Sequence, residues 1–125
     1  MRTTIFEGEN TIVEKENDIL IGIFKKEFVD LEIAEKSVKD RLKVSEGKSY
    51  PLLIEIKNVK NSTLEARKFL ASEKGCEGVK AAAILVNSSL GRMIGNFFIF
   101  FNKPLLPTKL FIDEKEAIEW LKNYK

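Results

Sequence analysis

The chain has 125 residues, of which 44% are hydrophobic and 32% are charged, and its formal net charge is +2. This length suits one folded domain, which we expect to span residues 1–125. The positive charges are interspersed with negative ones, so no basic stripe indicates a nucleic-acid partner. Histidine is absent and cysteine occurs once, which excludes imidazole catalysis and the usual His or Cys metal sites. We therefore expect no metal, no cofactor and no enzymatic activity.

The sequence shows no pattern typical of export or of membrane insertion. Its apolar runs are shorter than the ~20 residues that a membrane-spanning helix needs. The segment Met1–Glu7 lacks the continuous apolar core of a signal peptide. We expect a cytoplasmic protein without a membrane span.

A β-hairpin is predicted near the N-terminus. Residues 11–16 alternate loosely between apolar and polar types, and residues 19–24 are mostly apolar. Asn17-Asp18 lies between the two segments and is typical of a turn, so the pair is predicted to be antiparallel. Ile5-Phe6 is predicted to add a short edge strand.

A helix is predicted next, from Asp30 to about Glu46. Asp30 is a favourable N-cap, and Gly47 is a favourable residue just beyond the C-terminus. The apolar residues recur every three or four positions, as on one face of a helix: Leu31, Ala34, Val38 and Leu42. Residues 51–57 then contain a nearly continuous apolar run, which is typical of a buried parallel strand.

The second helix is predicted from the spacing of Ser62 and Glu65. A serine followed three residues later by a glutamate is a capping box, so Ser62 is the expected N-cap. The helix is expected to end near Gly75.

The rest of the chain continues the alternation of strands and helices. An apolar run predicts a strand over residues 80–87, and an aromatic helix follows over residues 89–102. Residues 108–112 form the last predicted strand, and Asp113 is expected to cap the last helix with Glu116 as its box partner. Repeated strand–helix–strand units require parallel strands. The predicted fold class is therefore α/β, a mixed, mostly parallel sheet with an N-terminal antiparallel hairpin and four main helices.

Several segments resemble the small bacterial proteins described as SpoIIAA-like or STAS-like. They are Gly47–Ile54, Arg92–Phe98, Asn102–Pro104, Pro107–Phe111 and Glu116–Leu121. The resemblance covers nearly the whole chain and is strongest over residues 47–125. It implies a SpoIIAA-like (STAS-like) fold and a regulatory module that binds other proteins.

The resemblance also implies a candidate phosphoacceptor. Some STAS domains are switched by phosphorylation of a serine at the start of the helix after the central strand. Ser62 and Thr63 occupy this position, although the glycine of the family's Asp-Ser-Ser-Gly-Leu run is missing. The residues alone favour a simple helix cap at Ser62. CRAL-TRIO domains share the broad fold and carry lipids, which implies an apolar ligand as an alternative.

A candidate anion site lies at the start of the aromatic helix. Ser88, Ser89 and Arg92 place two hydroxyls and a guanidinium beside the open backbone N–H groups of a helix N-terminus. Such groups can bind a phosphate or a carboxylate. The alternative is that the serines only cap the helix.

The aromatic helix is the expected place of function. Its apolar residues cover about 160° of a helical wheel, whereas a core-facing stripe needs about 100°. The sheet is expected to bury the middle of this arc: Met93, Phe97 and Phe101. The remaining residues are expected to contact a second subunit or a ligand, unless other parts of the chain cover them: Gly91, Gly95, Phe98 and Ile99.

Three functions therefore remain open. The leading hypothesis is a non-enzymatic regulatory or binding module that acts through a protein partner or as a homodimer. The alternative is a carrier or sensor of a small apolar or amphipathic ligand, in a pocket lined by residues 93–101. An enzyme that uses carboxylates alone is the third. A deep pocket beside the aromatic helix would favour the carrier, and an exposed apolar patch would favour the partner.

Overall fold

The computed structural model describes residues 2–125. The strands are β1 (Arg2–Glu7), β2 (Thr11–Glu16), β3 (Ile19–Phe24), β4 (Phe28–Val29), β5 (Tyr50–Glu55), β6 (Asn61–Ser62), β7 (Val79–Leu85) and β8 (Thr108–Phe111). The α-helices are α1 (Leu31–Ser45), α2 (Leu64–Ala71), α3 (Ser89–Phe97) and α4 (Glu114–Leu121). Helix α3 continues directly into a π-helical turn (Phe98–Asn102), and α4 ends in a 3₁₀ turn (Lys122–Tyr124).

Six strands form one mixed sheet in the order β1-β2-β3-β5-β7-β8. β1, β2 and β3 pair in antiparallel fashion, and β3, β5, β7 and β8 pair in parallel. The parallel strands are joined by helical crossovers, as the alternation of elements predicts. The predicted α/β class, its N-terminal antiparallel hairpin and its four main helices are confirmed.

The hairpin turn follows from its two residues. Glu16 pairs with Ile19, which leaves Asn17 and Asp18 as a two-residue loop. Asn17 has φ 55, a left-handed conformation that asparagine tolerates better than most residues. The edge strand predicted at Ile5-Phe6 is confirmed and is longer than expected, because β1 pairs with β2 from Arg2 to Glu7, with the register interrupted at Ile5.

The helices cover both faces of the sheet. Helix α4 covers one face, where the buried residues are Ile19, Ile21, Leu53, Ala81, Ala83, Leu85, Phe111, Ala117 and Leu121. Helices α1, α2 and α3 lie on the other face, where the buried residues include Phe24, Val29, Ala34, Ile56, Val59, Ala66, Ile84 and Val86. Strand residues alternate between the two faces, and both faces are covered, which is why β5 and β7 are apolar apart from Glu55 and Lys80 near their ends.

Helix α1 begins and ends as the sequence predicts. The Asp30 side chain accepts a hydrogen bond of 2.9 Å from the Ile33 backbone N–H, and Glu46 adopts the left-handed conformation at the C-terminus. The predicted stripe does not include Arg41, which is 7% exposed. Its Nη1 donates to the Glu77 carbonyl (2.7 Å) and its Nη2 to the Gly75 carbonyl (3.0 Å). Arg41 therefore fastens the loop before β7 to α1.

The predicted N-cap of α2 is wrong by one residue. Thr63 Oγ1, not Ser62 Oγ, accepts the hydrogen bond from the Ala66 backbone N–H (3.1 Å). Ser62 belongs to β6, which pairs with β4 through Val29 in a second, two-stranded parallel sheet. The pairing of β4 with β6 holds Ser62 in an extended conformation outside the helix. The sequence contains no pattern that predicts so short a pairing.

Candidate functional site

Helix α3 lies on the sheet through its two glycines. A Cβ atom added to Gly91 would lie 3.1 Å from the Val86 Cβ, and one added to Gly95 would lie 2.5 Å from the Leu110 Cδ1. Any larger residue at these positions would require Val86 or Leu110 to shift, so the glycines favour this close approach of the helix to the sheet. Phe98 and Ile99, which follow the glycines, pack against the buried core on the same side.

The opposite side of the helix carries large apolar residues that face solvent. Met93 is 62% exposed, Phe97 42%, Phe100 68% and Phe101 71%. With Leu90, which is also exposed, they form a row at helical spacing that we call the α3 outer face. The rings of Phe97 and Phe101 stack with centroids 4.6 Å apart. The row is therefore continuous and not a set of isolated side chains.

The prediction that the sheet buries Met93, Phe97 and Phe101 is wrong. The apolar arc of α3 is wider than one buried stripe, and hydrophobicity alone cannot tell which part of it faces inward. The glycines decide the orientation, because the helix approaches the sheet most closely where it has no side chains. The residues expected to be left over, Phe98 and Ile99, consequently lie against the core.

A cavity of about 140 Å³ lies between the sheet and helices α1, α2 and α3. Its walls are mostly apolar and include Ile54, Ile84, Ile94 and Phe98. Small residues also line the cavity: Gly22, Ala82 and Gly95. A Cβ atom added to Gly22 would meet only the Leu52 Cδ1 atom, at 3.8 Å, which shows that this wall is loosely filled.

Two arginines also line the cavity, and no aspartate or glutamate does. Arg41 and Arg67 each lack a carboxylate oxygen within 4.0 Å among residues 2–125, since neither takes part in any of the ion pairs there. Burial lowers the pKa of Arg41, and nearby Cys76 and Glu77 act in the opposite direction. A guanidinium nevertheless remains protonated at neutral pH. The cavity wall therefore carries positive charge.

Arg67 is held between α2 and α3 by two kinds of contact. Its Nη1 donates to the backbone carbonyl (2.7 Å) and to Oγ (3.0 Å) of Ser62. Its Cζ lies 5.0 Å from the centre of the Phe97 ring, a cation–π distance. Its Nε is buried without a hydrogen-bond partner among the described residues. Arg67 thus has a fixed position and unused hydrogen-bonding capacity.

A second buried polar atom lines the same cavity. Thr11 is 5% exposed, and its Oγ1 has no hydrogen-bond partner within residues 2–125. Buried hydroxyls are normally satisfied by protein or water. Thr11 and Arg67 are thus two cavity-lining residues that each have a buried polar atom without a partner among the described residues.

The candidate anion site at the start of α3 lies outside this cavity. Ser88 Oγ accepts a hydrogen bond from the Gly91 backbone N–H (3.0 Å), so this hydroxyl caps the helix. Ser88, Ser89 and Arg92 are all exposed. Anion binding at these three residues therefore stays a prediction, and the site would be open to solvent.

The candidate phosphoacceptors, Ser62 and Thr63, are half-buried. Ser62 Oγ contacts Arg67 Nη1, and Thr63 Oγ1 is occupied by its capping bond. Of the predicted site residues, Ser62, Gly95 and Phe98 line the cavity. Sequence reasoning missed Arg41, Arg67 and Thr11, which come from three different elements. No sequence pattern pointed to them, because each becomes part of the cavity only when the elements pack together.

Residues 2–125 contain no group of three or more side chains of the types that commonly bind metal ions. No helix in that range is long and apolar enough to cross a membrane.

The fold is that of the SpoIIAA-like proteins. A crystal structure of an uncharacterized protein from the DUF3478 family, with a SpoIIAA-like fold, from Shewanella loihica PV-4 aligns with a TM-score of 0.64 at 19% identity. The alignment covers 93% of this chain and 99% of that protein. A protein of unknown function from Arthrobacter sp. FB24 gives a TM-score of 0.33 at 22% identity, covering 86% and 95% of the two chains.

The chain belongs to the family described as a domain of unknown function, DUF7793, whose model matches residues 13–125. No curated protein matches the chain. The resemblance to SpoIIAA-like proteins, predicted from the sequence, is confirmed at the level of the fold.

Proposed function

We propose that this protein is a non-enzymatic binding module that pairs with a second copy of itself through the α3 outer face. The observation that carries the proposal is the row of solvent-facing apolar side chains from Leu90 to Phe101. Soluble monomers rarely leave a contiguous apolar patch of this kind open, and such patches mark contacts.

The area of the patch is suited to a subunit contact. If a large apolar side chain presents about 200 Å² when fully open, the five residues together expose roughly 550 Å². A standard interface buries about 800 Å² on each partner, including a polar rim. The α3 outer face could therefore form the apolar centre of such an interface.

The charge of the patch favours a second copy over a charged partner. Arg92 is the only charged residue between Ser88 and Asn102. A two-fold symmetric interface brings the same patch of each subunit together, so a nearly neutral patch avoids like-charge repulsion. Phenylalanine and methionine are also enriched in interface centres.

The proposal is tested by size-exclusion chromatography of paired variants. Phe100 and Phe101 are the most exposed rings, so the double variant F100S/F101S leaves the core intact while removing about half of the exposed patch. We expect the wild type to elute as a dimer and this variant to elute as a monomer. Ile112→Ser is the matched control, because Ile112 is 59% exposed but lies outside the α3 outer face; it should elute like the wild type. Identical elution of all three proteins would refute self-association through this face.

A second function is favoured by the cavity. A carrier or sensor of a small ligand needs a concave, mostly apolar space, and the cavity lined by Ile94, Gly95 and Phe98 offers one that is partly enclosed. This function does not exclude the first, because the cavity lies on the inner side of α3 and the proposed interface on the outer side. It predicts that the purified protein retains or binds a small molecule, which native mass spectrometry would detect.

A further inference from the structure

We propose that the cavity binds a small amphipathic carboxylate, with its apolar part among the isoleucines and its carboxylate against Arg67. The proposal rests on the second candidate function, ligand binding in this cavity, and adds the chemical class of the ligand. It concerns the inner side of α3, although Phe97 of the α3 outer face also contacts Arg67.

The size of the cavity limits the apolar part of the ligand. A cavity of about 150 Å³ lined by aliphatic side chains and phenylalanine is large enough for benzene, and this one measures about 140 Å³. The occupant is therefore a single ring or a short branched chain and not a long acyl chain.

The charge of the walls selects an anion. Two guanidinium groups line the cavity and no carboxylate of the protein lines it. A cation removed from water without a counter-ion is unfavourable, and an anionic ligand would offset that penalty. The same charge disfavours a cationic ligand of equal shape.

The geometry of Arg67 selects a carboxylate. Its Nη1 is occupied by Ser62, whereas Nε has no partner and Nη2 donates to none of the described residues. Nε and Nη2 form one edge of the planar guanidinium, and that edge matches the two oxygens of a carboxylate. Ser62 and the Phe97 ring hold the group in place, so little side-chain freedom is lost on binding.

The test compares two probes of nearly equal shape by isothermal titration calorimetry of the wild-type protein. Phenylacetate carries the carboxylate, and phenylacetamide replaces it with a neutral amide. We expect phenylacetate to bind at least ~10-fold more tightly, as expected for a hydrogen bond to a charged group. Absence of phenylacetate binding, or equal binding of the two probes, would overturn the proposal without any variant.

Two variants then locate the contact. Arg67→Met keeps an unbranched apolar stem but removes the guanidinium, and it should weaken phenylacetate binding ~10-fold or more while leaving phenylacetamide binding unchanged. Arg92→Met, at the exposed start of α3, should bind phenylacetate like the wild type. Loss of binding in Arg92→Met but not in Arg67→Met would place the carboxylate at Ser88 and Ser89 instead and overturn the assignment.

Two further arms test the space itself. Gly22→Ala narrows the cavity without changing Arg67, so it should weaken the binding of phenylacetate and of phenylacetamide alike. Octanoate should bind no more tightly than phenylacetate, and an octanoate affinity more than 10-fold higher would contradict the size limit. If phenylacetate fails to bind while native mass spectrometry finds a retained neutral molecule, the carboxylate proposal is wrong and the ligand-binding function still stands.

Discussion

Thr63 shows how a single capping residue depends on distant parts of the chain. The sequence places both Ser62 and Thr63 before the helix, and the capping-box spacing favours Ser62. Pairing of Ser62 with Val29 in the small second sheet transfers the cap to Thr63. A contact across more than thirty residues cannot be deduced from local spacing, so this position was not predictable.

The cap gives the first prediction. Thr63→Ala should lower the free energy of unfolding by about 1 kcal/mol, because the Ala66 N–H loses its acceptor at the start of α2. Ser62→Ala should change it by less, since Ser62 Oγ does not cap the helix. Urea denaturation of the two variants measures both changes. A larger loss in Ser62→Ala than in Thr63→Ala would contradict the assignment.

Arg41 gives the second prediction. Arg41→Met should destabilise the protein by about 2 kcal/mol, because the carbonyls of Gly75 and Glu77 lose their donors in a buried setting. Arg92→Met, which removes an exposed arginine, should change stability by less than about 0.5 kcal/mol. Thermal denaturation of the two variants compares them, and equal stability would show that Arg41 does not fasten the loop.

The pKa of Arg41 also sets an expectation for pH. Because burial lowers the pKa of Arg41, the unfolded chain holds the proton of this guanidinium more tightly than the folded protein does. Stability linked to Arg41 should therefore rise only as the pH becomes strongly alkaline. Urea denaturation gives the free energy of unfolding of the wild type and of Arg41→Met. The difference between these two free energies should stay constant between pH 6 and pH 8. A difference that varies across this range would contradict the expectation.

At the scale of elements, the strands and helices followed from hydrophobic periodicity and caps. The strands predicted over 11–16, 19–24, 51–57, 80–87 and 108–112 are all present within two residues of their predicted ends. The inward side of α3 was not predictable, because it depends on the fit of two glycines against Val86 and Leu110. Shape complementarity between elements is a property of the assembled sheet and not of one segment.

Helix α2 ends at Ala71, earlier than the predicted Gly75, and the loop that contains Gly75 gives a prediction at this scale. A Cβ atom at Gly75 would overlap the Phe69 carbonyl oxygen and lie 2.8 Å from the Leu70 Cα, both in the helix backbone. Gly75→Ala should therefore shift the loop and cost about 2 kcal/mol or more. Gly22→Ala should cost less than about 1 kcal/mol, because its Cβ finds space in the cavity. Chemical denaturation distinguishes the two, and equal effects would contradict the packing described for Gly75.

At the scale of the whole molecule, the sheet order places the two candidate sites on opposite sides of one helix. The inner side of α3 closes a positively charged cavity, and its outer side exposes aromatic residues. The sequence analysis expected the function to lie at this helix. It assigned the buried and the solvent-facing sides of the helix the wrong way round. The cavity itself was not predictable, because an empty space arises from side-chain volumes on several elements at once.

Pairing through the α3 outer face is measured most directly by sedimentation equilibrium of the unmodified protein over a range of concentrations. We expect a mass of twice the 14.3 kDa chain at high concentration, which falls toward the single-chain mass on dilution. A mass of 14.3 kDa at every concentration would contradict the account.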